Sequence, residues 1–258
     1  MATTNETAQT LKALHQRAHK PLVLANVYDI LSARAVAELP SSEALATASY
    51  AVALAAGTTD DDMTLQTNLN AVRGVAAVAK EFNKPLTVDI QDAYGPQLED
   101  AINSLIDLGV AGVNLEDADK DTGRMYDSDT AVSRIKRVLT VARHRTVPDF
   151  VVNARCDVLM QGGALEEVLA RGKKYLDAGA TTVFVLEGSK RGVTRAEVEQ
   201  MAMEFNGKLN VSLKMTPDGL TVKELAEIGV ARISVGPSLQ FLAMATYKKE
   251  AEKLLSQV

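Results

Sequence analysis

The chain has 258 residues, of which 47% are apolar and 24% are charged, and its formal net charge is −5. A weakly acidic chain without a Lys/Arg cluster is a poor candidate for binding nucleic acid or an anionic membrane, so neither partner is expected. One cysteine excludes an internal disulfide and favours the reducing cytoplasm, and three histidines with one cysteine are too few for a zinc finger. The first residues lack a signal-peptide pattern and no apolar run approaches about 18 residues, so no membrane segment is expected.

Short segments rich in strand-forming residues alternate with helical patterns along the whole chain. Residues 98–109 carry apolar side chains at close to a 3.6-residue period, which is typical of an amphipathic helix. Thr194 and Thr221 each precede a glutamate by three residues, the capping-box pattern of a helix start. We expect the strands to be apolar on both faces, as in a parallel sheet. The eight predicted strands are 22–25, 44–48, 86–90, 112–116, 150–154, 182–187, 209–213 and 232–236.

One joint between a helix and the next strand occurs three times. Gly109, Gly179 and Gly229 each follow an acidic residue near a predicted helix end and precede a strand. Glycine at this position suits the left-handed conformation that ends many helices. The repeated joint and the eight strands predict an α/β fold, a (β/α)8 barrel that forms a single domain over residues 1–258. A doubly wound open sheet is the alternative, but no Gly-x-Gly-x-x-Gly follows the first strand.

Polar side chains follow almost every predicted strand. In a (β/α)8 barrel the functional groups collect on the loops after the strands, at the carboxyl-terminal face. Any one of these residues can be an ordinary cap, so both interpretations stay open for each. The residues at strand ends are Asn26, Asp29, Ser49, Tyr50, Asp89, Gln91, Asp92, Glu116, Asp117, Asn153, Arg155, Glu187, Lys214 and Gly236.

The acids at the ends of strands three and four indicate a metal site. Asp89 and Glu116 lie on sequential strands, and carboxylates without a histidine partner suit a hard cation, chiefly Mg²⁺. Arg155 offers a planar guanidinium to a substrate carboxylate, and backbone amides after strand two would complete a site that stabilises an enolate. The alternative for Arg155 is a structural ion pair with an aspartate at the barrel mouth.

Seven segments of the chain carry a family resemblance: "LANVYDILSARAV", "TASYAVALAAGTTDDD", "LTVDIQDAYG", "GVAGVNLED", "FVVNARCDVL", "YLDAGATTVF" and "IGVARISVGP". Their order and spacing resemble the isocitrate lyase/phosphoenolpyruvate mutase superfamily over nearly the whole chain. The resemblance implies a (β/α)8 barrel whose last helix is swapped within dimers or tetramers. It also implies lyase or mutase chemistry beside a substrate carboxylate, through a Mg²⁺-bound enolpyruvate, with Mn²⁺ as a possible substitute.

The same resemblance implies roles for particular residues. Asp89, Glu116 and Gln91 are the predicted metal site. Asp89 is the metal aspartate, and Glu116 and Asp60 complete the inner and water-mediated shell. The predicted catalytic residues are Arg155, Asp60 and Tyr28. The predicted substrate-binding residues are Ser49, Tyr50, Ala51, Asp89, Asn153 and Arg155.

Two departures from the family pattern bear on the metal and the mechanism. The family has a second aspartate where this chain has Gln91, which brings no negative charge, so we expect weaker Mg²⁺ binding. Asp92 could compensate only if the turn rotated it inward; we expect a solvated turn residue. The family's lyases carry Lys-x-Cys-Gly-His in a mobile loop, but residues 115–129 here contain neither cysteine nor histidine. Cys156 is expected to be a buried hydrophobe, and Lys120 or Arg124 could still close that loop over an anion.

These features favour a Mg²⁺-dependent carbon–carbon lyase acting on a small 2-oxo or 2-hydroxy di- or tricarboxylate. Methylisocitrate cleavage needs a protein base and acid, whereas oxaloacetate decarboxylation needs only the metal as an electron sink. Phosphorus–carbon chemistry and a repurposed protein with little lyase activity are the alternatives. A Schiff base at Lys214 is a further, less favoured alternative.

The carboxyl-terminal segment, residues 238–258, predicts an amphipathic helix. The apolar stripe either packs on the helix's own barrel or is buried against a second subunit, and we expect part of it to be buried in a homodimer or homotetramer. Its members are Leu239, Leu242, Ala243, Met244, Tyr247, Ala251, Leu254 and Leu255.

Overall fold

A computed structural model of the protein describes residues 2–187 and 192–257 and shows the predicted eight-stranded parallel barrel. Each strand pairs in parallel with its neighbours in the order β1-β8-β7-β6-β5-β4-β3-β2, and a bridge between Val27 and Thr47 nearly closes the ring. All eight predicted strands are confirmed, with ends that shift by one or two residues. The strands are β1 Leu22–Leu24, β2 Leu45–Ala46, β3 Leu86–Asp89, β4 Gly112–Glu116, β5 Val151–Cys156, β6 Thr182–Val185, β7 Leu209–Ser212 and β8 Arg232–Ser234.

Helices follow the strands and cover the outside of the barrel. The predicted capping boxes at Thr194 and Thr221 are confirmed at the starts of α8 and α9. The three predicted glycine joints are confirmed, since φ is +82° at Gly109, +106° at Gly179 and +93° at Gly229. The helices are α1 Thr4–Leu14, α2 Ile30–Ala37, α3 Ser49–Ala55, α4 Leu65–Glu81, α5 Leu98–Asp107, α6 Ser128–His144, α7 Leu165–Asp177, α8 Arg195–Glu204, α9 Val222–Ile228 and α10 Ser238–Leu255.

The expectation that the strands are apolar on both faces is wrong for the barrel interior. Outward residues such as Val88 and Val113 belong to the apolar core under the helices. Inward positions instead carry polar side chains, which hydrogen-bond to each other across the barrel and so offset the cost of their burial. We call this set the inner polar layer; its members are Asn114, Asn153, Thr182, Asn210, Arg232 and Ser234.

The last helix, α10, is largely exposed. Gln240 is its one buried residue among those described, and its side-chain amide donates to the carbonyl of Ala51 at 2.9 Å. Phe241 meets Tyr50 edge-to-face with ring centroids 6.0 Å apart. Tyr247 is 73% exposed and Leu254 69% exposed, so the alternative in which the whole stripe packs on its own barrel is wrong.

Within the described ranges, no helix combines the length and the apolar character needed to cross a membrane.

Candidate active site

Asp89 is the last residue of β3 and lies at the carboxyl-terminal mouth of the barrel. Its carboxylate accepts a hydrogen bond from the backbone N–H of Ser49 at 3.2 Å and a long one from the N–H of Gln91 at 3.4 Å. Its own N–H donates to the hydroxyl of Thr47 at 3.0 Å. Because Ser49 is the first residue of α3, the helix start and the strand end are joined through this carboxylate.

The turn after Asp89 has an unusual backbone. Gln91, Ala93 and Tyr94 have φ values of +51°, +62° and +58°, a conformation that costs free energy for residues other than glycine. Asn68 of α4 holds the turn, since its side-chain amide donates to the carbonyl of Asp89 at 2.8 Å and to the hydroxyl of Tyr94 at 2.7 Å. The surrounding fold therefore determines where Asp89 points.

Asp92, in the same turn, is buried, so our expectation of a solvated turn residue is wrong. Its carboxylate accepts a hydrogen bond from the hydroxyl of Tyr126 at 2.8 Å and lies 3.7 Å from the guanidinium of Arg134. Arg134 also donates to the main-chain carbonyl of Asp92. The left-handed residues on either side of Asp92 place it in this network, where its charge is paired with Arg134.

Gln91 and Asp60 meet beside Asp89. The Nε2 group of Gln91 donates to the main-chain carbonyl of Asp60 at 2.8 Å. The Oε1 atom of Gln91 and the Oδ1 atom of Asp60 are both buried without a hydrogen-bond partner. Burial, followed by repulsion from Asp89, raises the pKa of Asp60, although the nearby Ser49 and Gln91 side chains act in the opposite direction. This corner of the site therefore holds buried acceptor oxygens that are not satisfied by the protein.

Arg155, on β5, is bound by two acids. Its Nε and Nη2 groups donate to the two carboxylate oxygens of Asp157 at 2.6 and 2.8 Å, and its Nη1 group donates to Glu116 at 2.5 Å. Burial lowers the pKa of Arg155, but Asp157 and Glu116 outweigh burial and hold it well above the usual value. Burial is also the main reason that the pKa of Glu116 is raised, and the charges of Asp157, Asp89 and Asp60 add to it against that of Arg155.

A second group of side chains supports Asp157 from behind. The N–H of Asp157 donates to Asp117 at 2.9 Å, and Asp117 also accepts a hydrogen bond from Tyr175 at 2.6 Å. Cys156 is fully buried, as predicted, and burial raises the pKa of its thiol well above the usual value. A neutral buried thiol of this kind is unreactive, which agrees with the expected packing role.

The donor atoms at this site fit a hard divalent cation in kind. Asp60, Asp89 and Glu116 supply carboxylates, and Gln91 supplies an amide oxygen, which are the ligand types that Mg²⁺ prefers. The unpartnered oxygens of Asp60 and Gln91 are where such a cation would be favourable. Across residues 2–187 and 192–257, no three His, Cys, Asp or Glu side chains are already arranged to hold a metal ion, and Glu116 is bound to Arg155 instead.

Comparison with known proteins places the chain in a family. A family model described as phosphoenolpyruvate phosphomutase matches residues 11–255. The chain belongs to the phosphoenolpyruvate mutase/isocitrate lyase superfamily. The resemblance seen in the sequence is therefore confirmed, together with the barrel fold that it implied.

Individual members of the superfamily match most of the chain. An uncharacterised protein of Mycobacterium tuberculosis is 30% identical over 84% of this chain and 78% of its own length. The phosphonopyruvate hydrolase of a Variovorax species is 28% identical over 67% of this chain and 59% of its own length.

Solved structures of the superfamily match the fold closely. A protein of Burkholderia cenocepacia J2315, provisionally assigned as a phosphonomutase, has a TM-score of 0.85 and 34% identity, with 97% of this chain and 99% of the other covered. A 2,3-dimethylmalate lyase, for which 99% of this chain and 88% of the other are covered, has a TM-score of 0.84 and 26% identity.

Two of the predicted site residues make their contacts with groups other than the acids. Tyr28 packs against Val52, Ala53 and Met63 in a small apolar cluster beside α3. Asn153 is completely buried in the inner polar layer, and both its amide and its carbonyl group are hydrogen-bonded there. It lies two residues before Arg155 on β5.

The lysines that the sequence singled out lie at the rim. Lys120 lies in the loop after β4, and its ammonium donates to the main-chain carbonyl of Asp61 at 2.5 Å, so this loop contacts the loop that carries Asp60. Lys214 is 54% exposed and forms an ion pair with Asp218 at 2.5 Å. The desolvated lysine that a Schiff base requires is therefore not found at position 214.

Sequence reasoning missed three residues that build the site. Asp157 lies two residues after Arg155, and this spacing on a strand places both side chains on one face, a signal that could have found it. Asn68 is a polar residue within the buried face of α4, which is a weaker signal. Thr47 directly follows β2, and no sequence pattern distinguishes it from a structural residue.

Proposed function

We propose that this protein is a divalent-cation-dependent lyase that cleaves a carbon–carbon bond of a small 2-oxo or 2-hydroxy di- or tricarboxylate. The observation that carries the proposal is the acidic corner at the barrel mouth, where Oδ1 of Asp60 and Oε1 of Gln91 are buried without partners beside Asp89. An oxygen-lined, partly unsatisfied site is suited to Mg²⁺, with Mn²⁺ as a substitute.

The residues of this chain have separate tasks in the proposed reaction. Asp89, Glu116 and Gln91, with Asp60, would hold the cation, which when bound acts as a Lewis acid toward the substrate carbonyl and the enolate. Arg155 has five N–H donors, of which three are used by Asp157 and Glu116, so two remain for a substrate carboxylate. The bidentate contact with Asp157 fixes the guanidinium plane and so lowers the entropy lost when substrate binds.

The start of α3 supports the same proposal. The first N–H groups of a helix have no acceptor within the helix, and that of Ser49 already donates a hydrogen bond to Asp89. The N–H groups of Tyr50 and Ala51, and the hydroxyl of Ser49, would bind the substrate carboxylate oxygens that Arg155 does not bind. This arrangement would bind and orient the substrate without a change in the backbone.

Decarboxylation of a 2-oxo acid such as oxaloacetate is the candidate reaction that requires the fewest acid or base groups from this site. Residues 115–129 contain no cysteine or histidine to act as an acid or base. Loss of CO₂ requires no proton removal from the substrate, whereas retro-aldol cleavage of a methylisocitrate-like acid does. The likeness to a 2,3-dimethylmalate lyase supports carbon–carbon lyase chemistry in general.

Phosphorus–carbon chemistry is the second candidate. It is favoured by the family description and by the 28% identity with a phosphonopyruvate hydrolase over 67% of this chain. In such a reaction the bond that breaks also lies beside a 2-oxo carboxylate, so the same acids and Arg155 would be used.

An assay of product release separates these candidates. Purified protein is given oxaloacetate, methylisocitrate or phosphonopyruvate, with Mg²⁺ or with EDTA, and pyruvate is followed by a coupled enzyme. Mg²⁺-dependent pyruvate from either of the first two supports the proposal, and pyruvate or phosphoenolpyruvate formed only from phosphonopyruvate, the latter seen by ³¹P NMR, supports the second candidate. No turnover of any of the three would favour a repurposed protein and contradict the proposal.

A further inference from the structure

Arg232 is a buried cation in the middle of the barrel. It is completely inaccessible to solvent, although it starts β8, and its Nη2 group donates to Oδ1 of Asn114 on β4 at 3.0 Å. Its Nε group makes only a long contact with Ser234 at 3.4 Å, and its Nη1 group has no hydrogen-bond partner among the described residues. Among the described residues, no carboxylate forms an ion pair with Arg232, which is unusual for a buried guanidinium.

A hydrogen bond to Asn114 connects the guanidinium to β4, the strand that carries Glu116. Asn114, which it contacts, is two residues before Glu116 on the same face of β4 and is paired in register with Asp89 of β3. Two residues along a strand span about 6.6 Å, so the charge lies roughly one layer under the mouth. Burial lowers the pKa of Arg232 to about 9, against the opposing influence of Asp89, so the group remains protonated at pH 7.5.

Four acids lie around Arg155 at the mouth. Asp60, Asp89, Glu116 and Asp157, when ionised, carry more negative charge than Arg155 offsets. His15 is close enough to be affected by Arg232: burial and then the charge of Arg232 lower the pKa of His15 to about 3 and keep it neutral. Arg232 is therefore a fixed charge whose burial is offset through space by Asp89.

We infer that Arg232 is an internal counter-charge that sets how tightly the acidic corner holds a divalent cation. It reduces the repulsion among the carboxylates when no cation is present, and it repels a cation that binds there. This inference rests on the proposed function, because it assumes a divalent cation at Asp89. The alternative is that Arg232 only fills the barrel, in which case its charge has no effect on cation binding.

Mn²⁺ titration followed by EPR tests the inference without reference to catalysis. The metal alone is added to metal-free wild-type protein at pH 7.5 and to the variants Arg232→Met, Arg232→Lys and Ser234→Ala. The methionine removes the charge and keeps most of the volume, whereas the lysine keeps the charge. Ser234→Ala is the matched control, because it disturbs the inner polar layer next to Arg232 without any change of charge.

We expect Arg232→Met to bind Mn²⁺ on the order of tenfold more tightly, because the variant loses a positive charge that repels the cation at the effective dielectric of a protein. Arg232→Lys and Ser234→Ala should stay within about threefold of the wild type. Asn114→Asp gives Arg232 a charged partner and leaves the barrel filled, so it should also tighten Mn²⁺ binding. It replaces Arg232→Met as the test if circular dichroism shows that Arg232→Met does not fold.

The outcomes distinguish this inference from the proposal on which it rests. If wild-type protein does not bind Mn²⁺, the cation site itself is wrong. If it binds Mn²⁺ but Arg232→Met and Asn114→Asp have wild-type affinity, or if Arg232→Lys changes the affinity as much as Arg232→Met, the counter-charge role is overturned.

Discussion

The side-chain amide of Gln91 donates to the main-chain carbonyl of Asp60 at 2.8 Å, while its own oxygen and Oδ1 of Asp60 remain buried without partners. This contact ties the turn after β3 to the loop between α3 and α4. A glutamine at this position supplies a donor that an aspartate could not, at the expense of one negative charge in the proposed cation site. Gln91 therefore couples the positions of two loops to the strength of cation binding.

Replacement of Asp89 by asparagine should abolish the effect of Mg²⁺. Asp89→Asn removes a carboxylate that is 7% exposed and replaces an acceptor of two N–H groups by a neutral amide. We expect activity to fall by about 100-fold or more and the Mg²⁺-induced rise in melting temperature to disappear. Without metal the variant should be about as stable as the wild type, because the relief of repulsion with Glu116 is opposed by the loss of the attraction to Arg232.

Melting curves with and without Mg²⁺, together with pyruvate-release rates, check this expectation. Asp121→Asn, in the exposed loop after β4, is the control and should behave like the wild type. Wild-type activity and an unchanged Mg²⁺ shift in Asp89→Asn would show that the metal site is misplaced.

Replacement of Gln91 by aspartate should have the opposite effect. Gln91→Asp adds a carboxylate beside Asp60 and Asp89, so we expect Mg²⁺ to bind about tenfold more tightly. Without metal, the added repulsion and the lost hydrogen bond to Asp60 should lower the free energy of unfolding by about 1 kcal/mol or more. Calorimetric titration with Mg²⁺ and urea unfolding measure the two effects, and weaker Mg²⁺ binding in the variant would count against the assignment of this position to the metal site.

The stability of the metal-free protein should depend on Asp60 above about pH 4, the pKa of an unfolded aspartate. Because burial raises the pKa of Asp60 in the native state, the native protein retains a proton that the unfolded chain has lost. Stability contributed by this group is therefore complete below the unfolded pKa and is lost as pH rises through the folded pKa. The melting temperature of Asp60→Asn relative to the wild type should thus increase between pH 4 and pH 8.

The neighbouring exposed residue provides the control for this pH series. Asp61→Asn should track the wild type at every pH, since Asp61 lies at the surface. A constant difference between Asp60→Asn and the wild type across the series would mean that the pKa of Asp60 is not raised by folding.

His15 predicts a loss of stability in acid. Burial lowers the pKa of His15 to about 3, so the unfolded chain binds a proton below about pH 6.5 that the native protein does not. Stability is therefore lost as pH falls from about 6.5 toward 3, by about 2 kcal/mol at pH 5 from this residue. Urea unfolding at pH 7 and pH 5 should show a smaller difference for His15→Gln than for the wild type, whereas His144→Gln, at an exposed position, should keep the wild-type difference.

The exposed apolar stripe of α10 leads us to propose that the protein is a homodimer or homotetramer. Tyr247, Leu254 and Leu255 are each more than two-thirds exposed in a single chain, a surface that association would bury. Light scattering at micromolar concentration should give a multiple of 27.6 kDa for the wild type. The double variant Tyr247→Glu, Leu254→Glu should shift toward the monomer, and the control Lys248→Glu on the same helix should not. A wild-type monomer would end this proposal.

Much of the fold could be predicted because its signals are local. The glycines at 109, 179 and 229 and the capping boxes at Thr194 and Thr221 act within a few residues, so each could be recognised without its tertiary partners. Eight such units in series leave few topologies other than a barrel. In the same way, acids at the ends of β3 and β4 identified the face of the barrel where the site would lie.

The sequence alone therefore determined the alternation of strands and helices, the barrel, and the polar carboxyl-terminal face. Only the tertiary structure decided that Asp92 is paired with Arg134, that Asp157 and Glu116 both bind Arg155, and that Arg232 crosses the barrel to Asn114. These contacts join residues that are 2 to 118 positions apart, and their partners depend on strand register and on left-handed turns. The sequence of a single strand shows which residues are charged, but the free energy of burying each charge is set by groups on other strands.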